Sequence, residues 1–175
     1  MTFLDPGKEA HMAKVAQLHD NLDRTRYIVL KRENVIGRAP EVNILVDNNV
    51  VSRRHARIAC LPGTSSFFIE DISARGTYVN FRRIQGRRPL KEGDRICVIR
   101  FHNVHPKDIA AMTPEQLKTY CDDPRVDGIK AVADFTFGYV EVSEAQAGQV
   151  EKPPEDEKKP QGLLAKLKSL FSKKP

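Results

Sequence analysis

A chain of 175 residues, 40% hydrophobic and 30% charged, with 29 Lys and Arg against 23 Asp and Glu, carries a formal charge of +6 at pH 7. That length suits one domain of ordinary size. The hydrophobic content excludes a fully disordered chain, and no apolar run approaches the roughly 18 residues of a spanning helix. Cys60, Cys97 and Cys121 are odd in number, widely spaced and without a CxxC pair, which argues against a disulfide framework or a thiolate zinc site and for a reducing compartment. Asp5, Pro6 and Glu9 interrupt the apolar core that a signal peptide would need, and a cytoplasmic protein is expected.

The charge is unevenly placed. Residues 24–100 hold 16 basic and 7 acidic side chains, and 14 of the basic ones are arginine. Residues 101–150 hold 4 basic and 8 acidic, and residues 151–175 hold 7 basic and 4 acidic. Arginine suits planar, bidentate recognition of oxyanions, so the middle stretch points to an anionic partner.

In chain order, residues 1–12 read as an N-terminal extension and the folded domain is expected over 13–142. The runs 26–30, 43–46, 55–60, 67–70 and 95–101 are short, β-branched or aromatic, and divided by turn residues at 47–49, 61–66 and 91–94. Strands recurring about every ten residues predict a sandwich or barrel. The character changes after Phe101. His105-Pro106 interrupts strand pairing, and Thr113-Pro-Glu-Gln116 supplies a capping hydroxyl, Pro at the first helical position and Gln at the third, which predicts a short helix to about Tyr120. Residues 102–133 are therefore expected to be an insertion, either a structural brace or a second interaction surface. Residues 134–142 alternate polar and apolar side chains as a last strand.

Residues 143–161 are nearly devoid of apolar side chains and are expected to form a disordered linker. In residues 162–175, Leu163, Leu164, Leu167, Leu170 and Phe171 recur at offsets 0, 1, 4, 7 and 8 among four lysines, the pattern of a basic amphipathic helix. Such a helix suits an anionic membrane surface, a partner's groove or the protein's own sandwich, and these three readings stay open. The first would make the protein peripheral at a membrane.

Three motifs are strung along the β-rich stretch: Ile36-Gly-Arg38, Ser52-Arg-Arg-His55 and Arg75-Gly-Thr-Tyr-Val-Asn80. In that order and spacing, with 43–46 and 68–73 ahead of the second and third, the chain resembles a forkhead-associated (FHA) domain over residues 26–101, completed by the strand at 134–142. The resemblance implies an all-β fold, an FHA-type β-sandwich of about eleven strands with a short helical insertion before the last strand and a C-terminal amphipathic helix. It also implies loops at one end of the sandwich that bind a phosphothreonine peptide. A phosphate monoester brings about −1.5 to −2 charge and three acceptor oxygens, and Arg38, Ser52, Arg53 and Arg75 supply cationic forks and a hydroxyl from three loops.

By similarity, Arg38, Ser52 and Arg53 contact the phosphate, Gly37 and His55 support the loops from beneath, and Gly76 and Thr77 set the turn of the third motif. Asn80 ties neighbouring loops and lies near the peptide backbone. The chain departs from the family in having Ala74-Arg75 where Ser/Thr-Asn is common, so that Arg75 substitutes with a charged reach, and Phe81 where glycine is usual, so that a different turn is expected. Val50 occupies a position that in some members selects a flanking residue of the peptide. The implied function is a non-catalytic adaptor that recruits a phosphothreonine-containing partner of a Ser/Thr protein kinase, with no cofactor and no metal. A phospho-independent scaffold is the alternative.

Other readings carry less weight. Ser52 and His55 as nucleophile and base would point to opposite faces of an extended strand, without an orienting carboxylate or a GxSxG turn. His102 and His105 lack a third metal ligand at useful spacing. Arg82, Arg83, Arg87 and Arg88 could face nucleic acid, but no aromatic platform beyond Phe81 interleaves with them. The three cysteines read as small packed residues.

Overall fold

Alternating burial defines the strands, beginning in a segment whose period of two is easily overlooked: Ala16, Leu18 and Asp20 turn inward while Lys14 is exposed. The computed structural model describes residues 12–143. Its elements in chain order are β1 (Met12–Asp20), β2 (Tyr27–Val29), β3 (Glu33–Gly37), β4 (Ile44–Leu45), β5 (Ala56–Cys60), β6 (Phe67–Asp71), β7 (Tyr78–Val79), β8 (Arg82–Arg83), β9 (Arg87–Pro89), β10 (Arg95–Phe101), α1 (Pro106–Ala111), α2 (Pro114–Asp122) and β11 (Ile129–Ser143). The six-stranded sheet has the order β2-β1-β11-β10-β7-β8 and the five-stranded sheet β4-β3-β5-β6-β9. All pairs are antiparallel except β3 with β4. This is the sandwich of eleven strands that the motif register implied, with its helices before the last strand.

Leu18, Ile36, Ile58, Ile69, Phe135 and Phe137 meet between the sheets, none more than 1% exposed. A second cluster lies on the outer face of the six-stranded sheet, where Tyr78, Phe81, Cys97, Ile99 and Ile129 pack with Leu117 of α2. The inserted helices therefore cover a sheet face that would otherwise expose large apolar side chains. The capping box expected at Thr113 is present, with Thr113 Oγ1 accepting from the Gln116 N–H and Gln116 Oε1 accepting from the Thr113 N–H.

The structure revises three local readings. His105-Pro106 does more than stop a strand, since His105 caps α1 with Nδ1 accepting from the Lys107 N–H and Pro106 is its first residue. The last strand begins at Ile129, so residues 129–133 of the expected 102–133 insertion are paired with β10. That stretch hid because the register slips between Val98 and Ile99: Val98 pairs with Ala133 and Ile99 with Ala131, leaving Val132 as an extra residue that breaks the alternation. Residues 12–20, split in the reading between an extension and the domain, form one strand. The expected linker at 143–161 and basic helix at 162–175 lie outside the described residues, as does the extension up to residue 11; Ser143 closes β11. Among the described residues no helix is long and apolar enough to cross a membrane.

Arg95 binds the insertion to the sheet. Its Nε donates to Asp134 Oδ1 at 2.8 Å and its Nη2 to Asp122 Oδ1 at 2.9 Å, joining β10, β11 and the end of α2. The guanidinium also lies 4.8 Å from the centre of the Phe81 ring. The Asp134 carboxylate, only 2% exposed and also accepting from Asn21 Nδ2, holds Arg95 protonated well above the ordinary guanidinium range. Removing one member of such a buried pair leaves an uncompensated charge, at a cost of about 3–5 kcal/mol. Arg95→Ala is accordingly expected to lower unfolding stability by about 3 kcal/mol in urea melts, and amide exchange in α2 should accelerate; an unchanged melt would show that the clamp is not stabilising.

Candidate functional site

Three loops meet at one end of the five-stranded sheet: residues 38–43 after β3, 46–55 after β4, and 72–77 after β6. The first two are stitched by their backbones. The Arg38 N–H donates to the Ser52 carbonyl at 3.1 Å, the Ala39 N–H to the Arg53 carbonyl at 3.1 Å, and the His55 N–H to the Ile36 carbonyl at 2.7 Å. This close approach requires glycine at position 37, because a Cβ there would lie 2.1 Å from the Arg53 carbonyl oxygen. The glycine of the first motif is thus a steric condition for the site.

The third loop is shaped by Asp71, a residue the motif reading passed over. Asp71 Oδ1 accepts from the Ser73 N–H at 3.0 Å, the Ser73 hydroxyl at 2.7 Å and the Thr77 hydroxyl at 3.0 Å, and Ser73 Oγ accepts in turn from the Gly76 N–H at 2.7 Å. The Asp71-Ile-Ser73 triplet was the available signal, since Asp commonly bonds its own backbone two residues on. Thr77 is fully buried and spends its hydroxyl here.

His55 ties the second loop to the third. It is fully buried, its Nδ1 accepts from the Ser52 N–H at 3.0 Å, and the remaining proton therefore sits on Nε2, which donates to the Gly76 carbonyl at 3.2 Å. Burial pushes its pKa below the ordinary value, keeping the ring neutral. Both ring nitrogens are occupied by backbone, so the imidazole has no free lone pair with which to activate Ser52. Ser52 Oγ accepts from the Ala74 N–H at 3.3 Å, which leaves the hydroxyl proton available to donate outward.

Around this frame Arg38, Arg53 and Arg75 are exposed. Arg53 meets Glu41 at 3.5 Å, but with side chains 72% and 55% exposed, a pair worth at most about 1 kcal/mol and readily displaced by a dianion. Arg38 and Arg75 form no ion pair with any described residue. The end of the sandwich therefore presents a hydroxyl donor and three cationic forks, two of them without a carboxylate partner among the described residues.

Not every expected residue joins them. Asn80 lies at the far end of β7, where Nδ2 donates to Asp94 Oδ1 at 2.7 Å and Oδ1 accepts from the Arg95 N–H at 2.9 Å. It ties loops together, but those flanking β10, and no hydrogen bond links it to Arg38, Ser52, Arg53 or Arg75. Val50 is 7% exposed and turned into the core, so its side chain is not offered to a peptide. The turn at Asn80-Phe81 keeps two residues with both φ positive, 51° and 61°, as tight hairpin turns demand. Phe81 holds the strained conformation at a cost of about 1–3 kcal/mol and regains about 1.5–3 kcal/mol through burial under α2.

The other candidates separate as well. Arg82 and Arg83 are on the edge strand β8 of one sheet and Arg87 and Arg88 on the edge strand β9 of the other; Arg87 is paired with Glu70 at 3.3 Å. Burial pushes the Cys97 thiol far up and Cys121 up to about 11, so neither is a thiolate at neutral pH.

Comparison with known proteins bears on the same stretch. Residues 34–99 match the family model of the FHA domain. The chain carries an FHA domain. Among curated proteins it is similar to the oxoglutarate dehydrogenase inhibitors of Corynebacterium diphtheriae and Corynebacterium efficiens, each 36% identical over 80 residues, 45% of this chain and 54% of theirs. The chain thus spans about half the length of the curated relatives it matches. Among solved structures, Mycobacterium tuberculosis EmbR in complex with a low-affinity phosphopeptide is 27% identical, covering 71% of this chain and 24% of that one with a TM-score of 0.49. The N-terminal FHA domain of S. cerevisiae Rad53p in complex with a phosphothreonine peptide is 14% identical, covering 77% and 98%, with a TM-score of 0.49.

The FHA loops carry a pH dependence through His55. Its pKa is lowered on folding from 6.5, so the unfolded chain binds that proton more tightly, and stability falls on acidification wherever the unfolded state is the better proton acceptor. The histidine's contribution is complete above pH 6.5 and is lost as the pH falls toward the folded pKa. Urea melts are expected to show falling stability on acidification from about pH 7 to about pH 5.5, with a shallower fall in His55→Asn; equal slopes in the two proteins would remove His55 as the cause.

Proposed function

We propose that this protein is a non-catalytic adaptor whose FHA domain binds a phosphothreonine segment of a partner protein, placing it downstream of a Ser/Thr protein kinase in the cytoplasm. In this reading Arg38, Ser52, Arg53 and Arg75 hold the phosphate, while Gly37, His55, Gly76 and Thr77 keep their loops in register. The observation that carries it is the bridged frame of three loops: Ser52 is fixed through its backbone by His55 and through its oxygen by Ala74, so its proton is free to donate, and the exposed Arg38 and Arg75 are not neutralised by described carboxylates. Such a site fits a group with two charges and several acceptors, and it leaves a neutral hydroxyl little to gain.

Two further points support the reading. The ring of His55 is fully engaged by backbone groups, which takes away the base an esterase-like reading would need. The relatives are named as inhibitors of a dehydrogenase, and an inhibitor that acts by engaging an enzyme fits a binding module.

A hydrogen bond to a charged group contributes about 1.5–3 kcal/mol, and about 1.4 kcal/mol is a factor of ten in affinity. Calorimetry with a phosphothreonine peptide selected from an oriented library is expected to show Arg38→Ala and Ser52→Ala each weakening binding by about tenfold or more, with thermal melts within a few degrees of wild type. The unphosphorylated peptide should not bind measurably. Equal affinity of wild type and Arg38→Ala would overturn the site.

A further inference from the structure

Gly76 has a second role besides its turn. Its φ is +97°, and the space where a Cβ would stand is filled by the side chain of Arg83, whose Nε would be 2.3 Å away and Cζ 2.9 Å. The guanidinium of Arg83 is thus seated against the backbone of the third loop, next in sequence to Arg75 and two residues from Ala74, whose N–H reaches Ser52 Oγ. The hairpin delivers it there. Arg83 pairs with Tyr78 across the tight Asn80-Phe81 turn, and the Ile84 N–H returns to the Thr77 carbonyl at 3.0 Å.

Several arginines of the domain are spent on structure: Arg26 on Asp20, Arg57 on Glu33 and Glu70, Arg87 on Glu70, and Arg95 on Asp122 and Asp134. Arg83 differs. It is exposed, its head is placed by packing, and it forms no ion pair with any described residue. A guanidinium pre-positioned in this way loses little rotamer freedom when it meets a carboxylate or phosphate. Arg83 is therefore seated one residue past Arg75 in the third loop, while the Ala74 N–H on the other side of Arg75 meets Ser52 Oγ, a placement suited to meeting neighbours of the phosphothreonine on the same peptide.

We infer that Arg83 is a specificity-determining residue that reads a second anionic group, an acidic side chain or a second phosphate, within a few residues of the phosphothreonine. The inference rests on the phosphothreonine reading and adds the ligand class: a phosphothreonine in an acidic or doubly phosphorylated context. Arg38, Ser52, Arg53 and Arg75 provide for the first anion, and Arg83 provides for the next.

The test measures three peptides of one length by calorimetry: phosphothreonine with neutral flanks, phosphothreonine with Asp or Glu flanks, and phosphothreonine with a neighbouring phosphoserine. Wild type should bind at least one of the last two about tenfold more tightly than the first, consistent with one charge-assisted bidentate contact, and the stronger of the two identifies the source of the second anion. Arg83→Gln should erase that preference while leaving the neutral-flank peptide within about twofold of wild type, and Arg83→Lys should restore only part of it because a point charge lacks the fork. A wild type that binds all three equally, or a preference that survives Arg83→Gln, overturns the inference and leaves the phosphothreonine reading standing. If wild type binds none of the three, both are overturned.

Discussion

The loops at this end of the sandwich are joined through one neutral imidazole. His55 accepts from the Ser52 N–H and donates to the Gly76 carbonyl, and so joins loops that come from different parts of the five-stranded sheet. A doubly protonated ring would keep its bond to Gly76 but lose the one to Ser52, because Nδ1 would then have no lone pair to accept with. Burial guards against that by keeping the ring neutral. The exposed groups around it, Ser52 and the arginines, are carried on backbone that this ring and its neighbours have already fixed, so a ligand arriving there need not order the loops.

The second dependence is steric. Both glycines of the motifs exist for what lies against them: Gly37 for the Arg53 carbonyl and Gly76 for the Arg83 side chain. The first brings two loops into backbone contact, and the second seats a charge. Position 76 also demands a positive φ, so turn geometry and packing select the same residue there, whereas at position 37 packing alone does.

Much of this was legible in the residues. The motifs around Arg38, Ser52 and His55 lie in short contiguous stretches, and the strand runs near 55–60, 67–70 and 95–101 show plain β-branched and aromatic patterning. What escaped did so for physical reasons. The start of β11 is disguised by the extra residue Val132, which breaks the alternation, and β7, β8 and β9 are only two or three residues long, too short to show any period. Asn80 was placed near the peptide by resemblance; its side chain is held by Asp94 and the Arg95 N–H, contacts that no local pattern announces. The seating of Arg83 on Gly76 is a contact between residues seven apart across a hairpin, and no local pattern announces it. Phe81 takes a positive φ in its two-residue turn and is buried in the cluster that includes Leu117 of α2.

That last arrangement links two features that look independent along the chain. A phenylalanine in a left-handed turn is tolerable only with a roof over its ring, and a sheet face bearing Tyr78, Phe81, Cys97 and Ile99 is tolerable only when covered. The turn residue and the helical insertion are therefore energetically linked: Phe81 is buried in the cluster that Leu117 of α2 completes, with the Arg95 guanidinium over its ring. Loosening α2 would thus uncover not only a sheet face but also the side chain that offsets a left-handed turn, so disorder in the insertion would reach the hairpin that carries Arg83.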